Sequence, residues 1–424
     1  MSGYPIPSPP SGVGALSAQI FQAALGLSAP WYVANVSFDE AGKTLDIEID
    51  FQRGSRFQVP DATGDHPVHD TVTKRYRHLN FFQHECFLDV RVPRVKLPDG
   101  SVRQVQPDWA GKLSGFTLLF EALVLLLAQQ MPFRGVARVT GLSVHRVMAI
   151  CERYVDLAVA QRDLSEVRQL AIDETSRARG HDYLMLAADA EQRAVVFVTE
   201  GKDAATVGQL AEFLTAHGGD PAAIESCSID MSKAFIKGVG EHLPNAQITF
   251  DKFHVIAQAS RAVDLTRRAE QKHNPDLKGM RWKLLRAPGD LKAEAKAELN
   301  GLLSQLTRLR TARAWLYREQ LREILQRKQV HVVRRMLTQW CTNVMRSKVE
   351  PMKAVARMVR SHLDGIAAWV HSRQTNGFLE ALNGLFQAAK RKARGYTRLS
   401  TARTVIFLLA GKLDFRTVNP HAHA

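Results

Sequence analysis

The chain is poor in cysteine and has no long apolar run, and each shortage narrows what it can be. Only four cysteines occur in 424 residues: Cys86, Cys151, Cys227 and Cys341. None lies near another, so neither a disulfide framework nor a clustered-cysteine zinc site is signalled. They read as small buried apolar residues. No apolar stretch reaches the ~18 residues of a membrane-spanning helix. The longest, residues 116 to 128, contains Glu121 and fits a buried helix. The opening MSGYPIPSPPSG has no basic segment followed by an apolar one, so no secretory leader is signalled and a cytosolic protein is expected. Acid is also in short supply. Asp plus Glu is 42 against 57 Lys plus Arg, a net charge of +15. That surplus favours a polyanionic partner, and with no amphipathic anchor the partner is nucleic acid rather than a membrane.

The chain changes rhythm several times. Residues 1 to 14 are rich in Pro, Ser and Gly, as a flexible tail would be, and residues 15 to 26 predict a short helix. VANVSFD and TLDIEIDF alternate apolar and polar residues, which predicts a hairpin. Residues 52 to 106 predict further short strands, making a small β-rich module. The pattern is helical from residue 116 onwards. In MPFRGVARVTGLSVHRVMAICERYV a helix ends at Gly141 and Ser143 stands where an N-cap would start the next. Helix, glycine turn, serine cap and helix make a helix-turn-helix pattern, with Arg146 and Arg153 on the second helix. An ordinary helical hairpin would show the same pattern; the net charge favours DNA binding.

Residues 167 to 261 predict the order β-β-β-α-β-α-β-α, that of a ribonuclease H-like domain rather than of a regularly alternating α/β fold. Residues 262 to about 370 carry almost only helix signal, with many arginines. The last block, residues 375 to 415, is helical with a dense basic cluster at Lys390, Arg391, Lys392 and Arg394.

Three acids stand where chemistry would place them. Asp173 ends the first strand in AIDET, Asp230 ends the fourth in SIDMS, and Glu380 lies on a late helix in NGFLEALN. An acid at the end of an apolar strand is poorly placed for packing and well placed to hold a cation beyond the sheet. Hard oxygen ligands suit Mg²⁺ or Mn²⁺. Two such ions about 4 Å apart can activate an attacking oxygen and stabilise a leaving one at a phosphodiester. The first and fourth strands of this topology are neighbours and the fifth lies beyond the fourth. Asp173, Asp230 and Glu380 are therefore expected to converge as the direct ligands. Asp251 ends the fifth strand and His254 follows one turn later. That D-x-x-H spacing suits a metal pair or, equally, a helix cap with a packed histidine.

Longer words carry a family resemblance. AIDETSRARGHDY, EGKDAATV, SIDMSKAFIKGVGEHLPNAQITFDKFHV, TNGFLEALN and AAKRKARGYTR are similar to segments of the ISL-three family of insertion-sequence transposases, and the resemblance runs over residues 30 to 415. It implies a multidomain α+β protein, with a β-rich N-terminal module over 30 to 112 and a helix-turn-helix over 113 to 165. It implies a ribonuclease H-like catalytic domain over 166 to 261 and 371 to 415, interrupted by a helical insertion over 262 to 370. It further implies Asp173, Asp230 and Glu380 as a DDE triad binding Mg²⁺, and a bacterial protein associated with the nucleoid when on DNA. Asp251 and His254 resemble a motif of several eukaryotic-like DDE groups, where it supports the active site. One departure matters. The family carries a C-P-x-C-G pair and a C-P-x-H-G pair for zinc, and here Val59, Ala62, Leu97 and Gly100 stand at the ligand positions. The module is expected to keep its fold without the ion.

The expected activity is binding of terminal inverted repeats, hydrolysis at each element end, and joining of the 3′-hydroxyl to target DNA. A dimer or larger assembly would bring two ends together. A DNA-binding protein that has lost catalysis, and a ribonuclease H-like nuclease that cleaves without joining, are the rival expectations.

Overall fold

In a computed structural model, residues 13–60, 62–178, 182–286, 288–304, 308–372 and 377–422 are described. The chain divides into two units. Residues 1–161 and 413–424 make the first and residues 162–412 the second. No helix among the described residues is long and apolar enough to cross a membrane.

The first unit starts with helix α1 (Val13–Ala24) and the predicted hairpin, β1 (Trp31–Asp39) and β2 (Thr44–Phe51). It continues through β3 (Arg56–Phe57), β4 (His66–Phe81), β5 (His84–Lys96) and β6 (Val102–Gln104). The sheet order is β1-β2-β5-β4-β3, with β6 beside β5; β2 and β5 run parallel. Alternation buries Leu45, Ile47 and Ile49 of β2 against Cys86, Leu88, Val90 and Val92 of β5. Strands β4 and β5 are longer than the short strands expected. Their polar residues are not breaks but cross-strand pairs: Asp70 lies opposite Arg94, bonded at 2.6 Å, and Arg75 lies opposite Asp89. Opposite charges placed directly across a ladder stabilise it.

At the positions where the resemblance leads one to expect zinc ligands, Val59 is buried with Phe51, Phe57, Val95 and Val105, and Ala62 and Leu97 pack against that group. Gly100 sits in a turn at φ +85°, where the Asp99 carboxylate accepts from the Ser101 N–H at 2.8 Å. Apolar contact therefore joins the segments at these positions. Asp61 of the first pair lies outside the described residues.

Helices α2 (Leu118–Gln130), α3 (Phe133–Thr140) and α4 (Val144–Ala160) follow. Gly141 ends α3 at φ +73°, and the Ser143 side chain accepts from the Arg146 N–H at 3.3 Å to cap α4. Both signals were readable in the sequence. The buried acid of α2, Glu121, is fully enclosed. It accepts from the backbone N–H groups of Lys112 and Leu113, each at 2.8 Å, and from the Tyr154 hydroxyl at 2.5 Å. Burial raises the Glu121 carboxyl and the Tyr154 phenol from their ordinary values. Asn419, from the C-terminal segment, donates to the Leu118 carbonyl at 2.8 Å and the Tyr154 hydroxyl at 3.2 Å.

The second unit opens on an antiparallel meander, β7 (Gln169–Ala178), β8 (Asp182–Asp189) and β9 (Ala194–Glu200). Helix α5 (Ala204–Ala216), capped by Asp203, leads to β10 (Ser226–Ile229), then α6 (Lys233–His242), β11 (Gln247–Phe250) and α7 (Lys252–Gln271). The sheet order is β11-β10-β7-β8-β9, and β10 is parallel to both its neighbours. The fourth strand of the unit is thus next to the first, opposite the hairpin, and the fifth lies outside the fourth. The helices α8 (Arg281–Leu285), α9 (Ala293–Leu303), α10 (Arg310–Ile324), α11 (Val330–Met345), α12 (Glu350–Ser361) and α13 (Leu363–Ser372) follow within the same unit. One apolar core runs from the sheet through these helices, from Ile172 and Cys227 to Leu337, Met352 and Trp369. Helix α14 (Gly377–Ala393) then bonds to β7, and α15 (Leu399–Ala410) packs beside β9.

Candidate active site and DNA-contacting residues

Asp173 lies within β7 rather than at its end, because β8 goes on pairing with β7 as far as Ala178; it stands opposite Leu186 and is 9% exposed. Its Oδ1 accepts from the Glu174 N–H and its Oδ2 from Asn383 Nδ2 of α14, both at 2.8 Å. Burial pushes its carboxyl up from 3.8 to about 6; the Glu174 N–H and His254 oppose this, and the charges of Asp230 and Glu174 add to it. Desolvation penalises the charged form, and a carboxylate nearby compounds the penalty.

Asp230 follows β10, the strand beside β7, and its Oδ1 accepts from the Ser232 N–H at 2.9 Å. Asp251 follows β11, is completely buried, and caps α7 by accepting from the Phe253 N–H at 2.8 Å. His254 sits on the first turn of α7, with Nε2 3.9 Å from Glu380 Oε1. That Nε2 is shielded from solvent and has no hydrogen-bond partner among the described residues. Glu380 stands in the first turn of α14, half exposed. Asp230 and His254 thus act on Asp173 electrostatically, in opposite senses, and His254 lies beside Glu380. No three Asp, Glu, His or Cys side chains among the described residues close on one point as a ready-made metal cluster. The two Asp173 oxygens are held by N–H donors, and like-charged carboxylates repel without a cation between them.

Sequence reasoning missed Asn383 and Gln387. Gln387 donates to Thr175 Oγ1 at 3.0 Å and to the Ser176 carbonyl at 2.8 Å, fixing α14 along β7. The signal was present: Glu380, Asn383, Gln387 and Lys390 recur at helical spacing, a polar stripe through an otherwise amphipathic helix. Asn383 Oδ1 is buried and has no partner among the described residues. Phe253, next to His254 and 52% exposed, was also missed.

The basic residues divide. Lys390 donates to the Ser176 carbonyl at 2.6 Å, and burial followed by the Arg391 charge lowers its ammonium from the ordinary value. Arg391, Lys392 and Arg394 are exposed. Arg394, at φ +63°, and Gly395, at φ +102°, end the helix. In the first unit, Arg146 and Arg153 are both exposed on α4. The Arg146 guanidinium donates to the Ser114 carbonyl at 3.1 Å and lies 4.2 Å over the Phe116 ring. TNGFLEALN begins at residues 375 and 376, and AIDETSRARGHDY runs through 179 to 181; those positions lie outside the described residues.

Comparison with known proteins agrees with both units. The sequence model of a transposase family matches residues 170–406, and the helix-turn-helix domain of transposase family ISL3 matches residues 105–155. Together they define a DNA-binding transposase, an enzyme that cleaves DNA. The chain is 27% identical over 371 residues to the transposase for insertion sequence element IS1001 of Bordetella parapertussis, covering 84% of this chain and 89% of that protein. It is 28% identical over 359 residues to the transposase for insertion sequence element IS1557 of Mycobacterium tuberculosis (strain ATCC 25618 / H37Rv), covering 76% and 78%. The chain belongs to the ISL3 family of transposases.

Proposed function

We propose that the chain binds the terminal inverted repeats of an insertion sequence and performs metal-dependent cleavage and strand transfer at a DDE site on a ribonuclease H-like sheet. The observation that carries this reading is the placement of Asp173. It is a buried carboxylate on the central strand, under the influence of Asp230 just after the neighbouring strand and tied to the helix of Glu380 by Asn383. Family membership implies a divalent cation. The residues fit one. The donors are hard oxygens, the Asp173 carboxylate is costly to ionise without a counter-charge, and the buried Asn383 Oδ1 lacks a partner among the described residues. Asp173, Asp230 and Glu380 would hold Mg²⁺ or Mn²⁺, two ions in the fully assembled site. When bound, these ions supply Lewis acidity to the phosphodiester and lower the pKa of an attacking hydroxyl.

The protein's own groups do the rest. Asn383 orients Asp173 and Gln387 anchors α14, so that Glu380 stands opposite His254. His254 and Asp251 support the site, one beside Glu380 and one as the cap that sets the start of α7. Water attacks phosphorus at the element end, the bond to the 3′ oxygen breaks, and a 3′-hydroxyl remains. That hydroxyl then attacks a target phosphodiester and releases a new 3′-hydroxyl. Arg146 and Arg153 would contact the element end, and Arg391, Lys392 and Arg394 the backbone near the site, with Lys390 holding the helix that carries them. A dimer or larger assembly on DNA would pair two ends, in the bacterial cytoplasm and at the nucleoid.

The test uses labelled DNA carrying the source element's own ends, with binding, nicking and joining scored separately. Asp173→Asn, Asp230→Asn and Glu380→Gln should each preserve binding while nicking and joining fall by orders of magnitude. Binding without nicking by the unaltered chain would show a DNA-binding protein that has lost catalysis. Nicking without joining would show a nuclease only.

A further inference from the structure

The insertion holds an open cleft that the reaction site does not use. Its volume is about 590 Å³, and it lies between the short helix α8, the turn after it and the start of α9. Trp282 forms one wall. Its side chain is 61% exposed, whereas the other five tryptophans are buried or half-buried. An indole in water is costly on a stable surface, because its large apolar area stays hydrated. Its neighbours are anchored: Leu284 is buried in the core of the unit, and Leu291 packs against that core. The exposed ring therefore stands on a fixed base.

The charges around the ring are sorted. Arg281 lies 4.8 Å over the indole and 3.8 Å from the Asp264 carboxylate, which it shares with Arg267 and Arg268, so it covers one face of the ring and keeps positive charge beside it. Lys283 is paired with Glu298. Arg286 and Lys292, which line the cleft and are exposed, have no ion pair among the described residues, and the one acid in the lining is Asp290. The cleft thus offers an exposed aromatic wall and two cations outside any ion pair among the described residues, with Asp290 the one acid beside them, in a chain of net charge +15.

From this arrangement we propose that the cleft between α8 and α9 holds an unpaired nucleotide of a DNA strand, its base stacked on Trp282 and its flanking phosphates on Arg286 and Lys292. The inference rests on the reading of DNA as substrate and adds a second contact to it, remote in sequence from the helix-turn-helix and from the basic end of α14. An unstacked base is the occupant because a duplex covers its base faces and offers the cleft only backbone. The aromatic wall would then contribute nothing. A base with both faces free gains from stacking whatever its identity, so the contact is indifferent to sequence. Two phosphate contacts on a single strand should steepen the dependence of log affinity on log salt by about 1.4.

The experiment uses the full chain, with a fluorescently labelled single-stranded oligonucleotide of about 20 nucleotides and its duplex form as the probes. Anisotropy reports binding, and the accessibility of tryptophan emission to acrylamide reports the cleft. With the single strand bound, the acrylamide-sensitive emission of Trp282 should become protected, and the duplex should leave it accessible. Trp282→Ala should weaken single-strand binding roughly tenfold and leave duplex binding unchanged, and Trp282→Phe, which retains an aromatic ring, should restore most of the loss. Arg286→Ala with Lys292→Ala should flatten the salt dependence for the single strand alone. The proposal is overturned if anisotropy shows the single strand bound while Trp282 stays accessible, or if Trp282→Ala binds both probes as the parent does. Failure of the parent to nick element ends would instead sink the transposition reading and leave this titration interpretable.

Discussion

Replacing Asp173 by asparagine should make the metal-free protein more stable at neutral pH while removing its chemistry. Burial moves the Asp173 carboxyl from 3.8 to about 6 in the folded chain. Ionising it there costs about 3 kcal/mol more than in the unfolded chain, at about 1.4 kcal/mol per pH unit. Between about pH 4 and pH 6 the folded chain keeps a proton that the unfolded chain has released. Stability therefore falls as pH rises through that window and stays lower by this amount above it. Asp173→Asn removes the penalty. It also removes an acceptor, because the Glu174 N–H and Asn383 Nδ2 now use one carboxylate oxygen each and an amide has a single oxygen. A lost hydrogen bond costs about 1 kcal/mol, so the net gain at pH 7.5 is about 2 kcal/mol. Urea denaturation with EDTA, from pH 4 to pH 8, measures it. The gap between variant and parent should be widest above pH 6 and shrink or reverse near pH 4, where the folded parent's carboxyl is protonated and the unfolded parent's is about half protonated. Adding Mg²⁺ should stabilise the parent and not the variant, closing the gap by mass action. A variant no more stable than the parent at pH 7.5, or a gain that persists unchanged at pH 4, would refute the argument that Asp173 is held at a cost.

Three further outcomes are expected. Arg146→Ala should weaken binding to the element's ends more than binding to random duplex in a competition assay; an equal loss on both would make Arg146 a phosphate contact rather than a base reader. Replacing Arg391, Lys392 and Arg394 together by alanine should flatten the slope of log affinity against log salt by up to about 2.7, and an unchanged slope would leave them a solvated helix end. Elemental analysis should find no stoichiometric zinc bound within residues 30 to 110, since Val59, Ala62 and Leu97 pack with an apolar cluster; one zinc per chain there would overturn the reading of those positions.

The parts of this molecule that were legible in the sequence are those whose signals are local. The cap at Ser143, the left-handed Gly141 and the alternation in β2 each act within a few residues, and the strands and helices fell where these predict. The neighbourhood of β7 and β10 followed from element order, because parallel strands joined through helices leave few arrangements. What escaped was set by partners far along the chain. The polar residues of β4 look like breaks until Asp89 and Arg94 of β5 stand across from them and Asp46 of β2 pairs with Arg75. Asn383 is an ordinary helical asparagine until α14 is laid along β7, 210 residues earlier. Lys390 counts as one more surface cation until its ammonium is seen on the Ser176 carbonyl. Helix signal over residues 262 to about 370 did not say what those helices cover, and they share one core with the sheet.

The route of the chain through its two units has a consequence for synthesis. Residues 413–422 belong with the unit that begins the protein, and they are made after all of residues 162–412. Asn419 is the residue that bridges α2 and the Tyr154 hydroxyl of the helix-turn-helix. A ribosome that stops anywhere inside the second unit therefore releases a first unit with its helices present and this bolt missing. Abortive products would lack the two hydrogen bonds that Asn419 gives to α2 and to Tyr154 of α4.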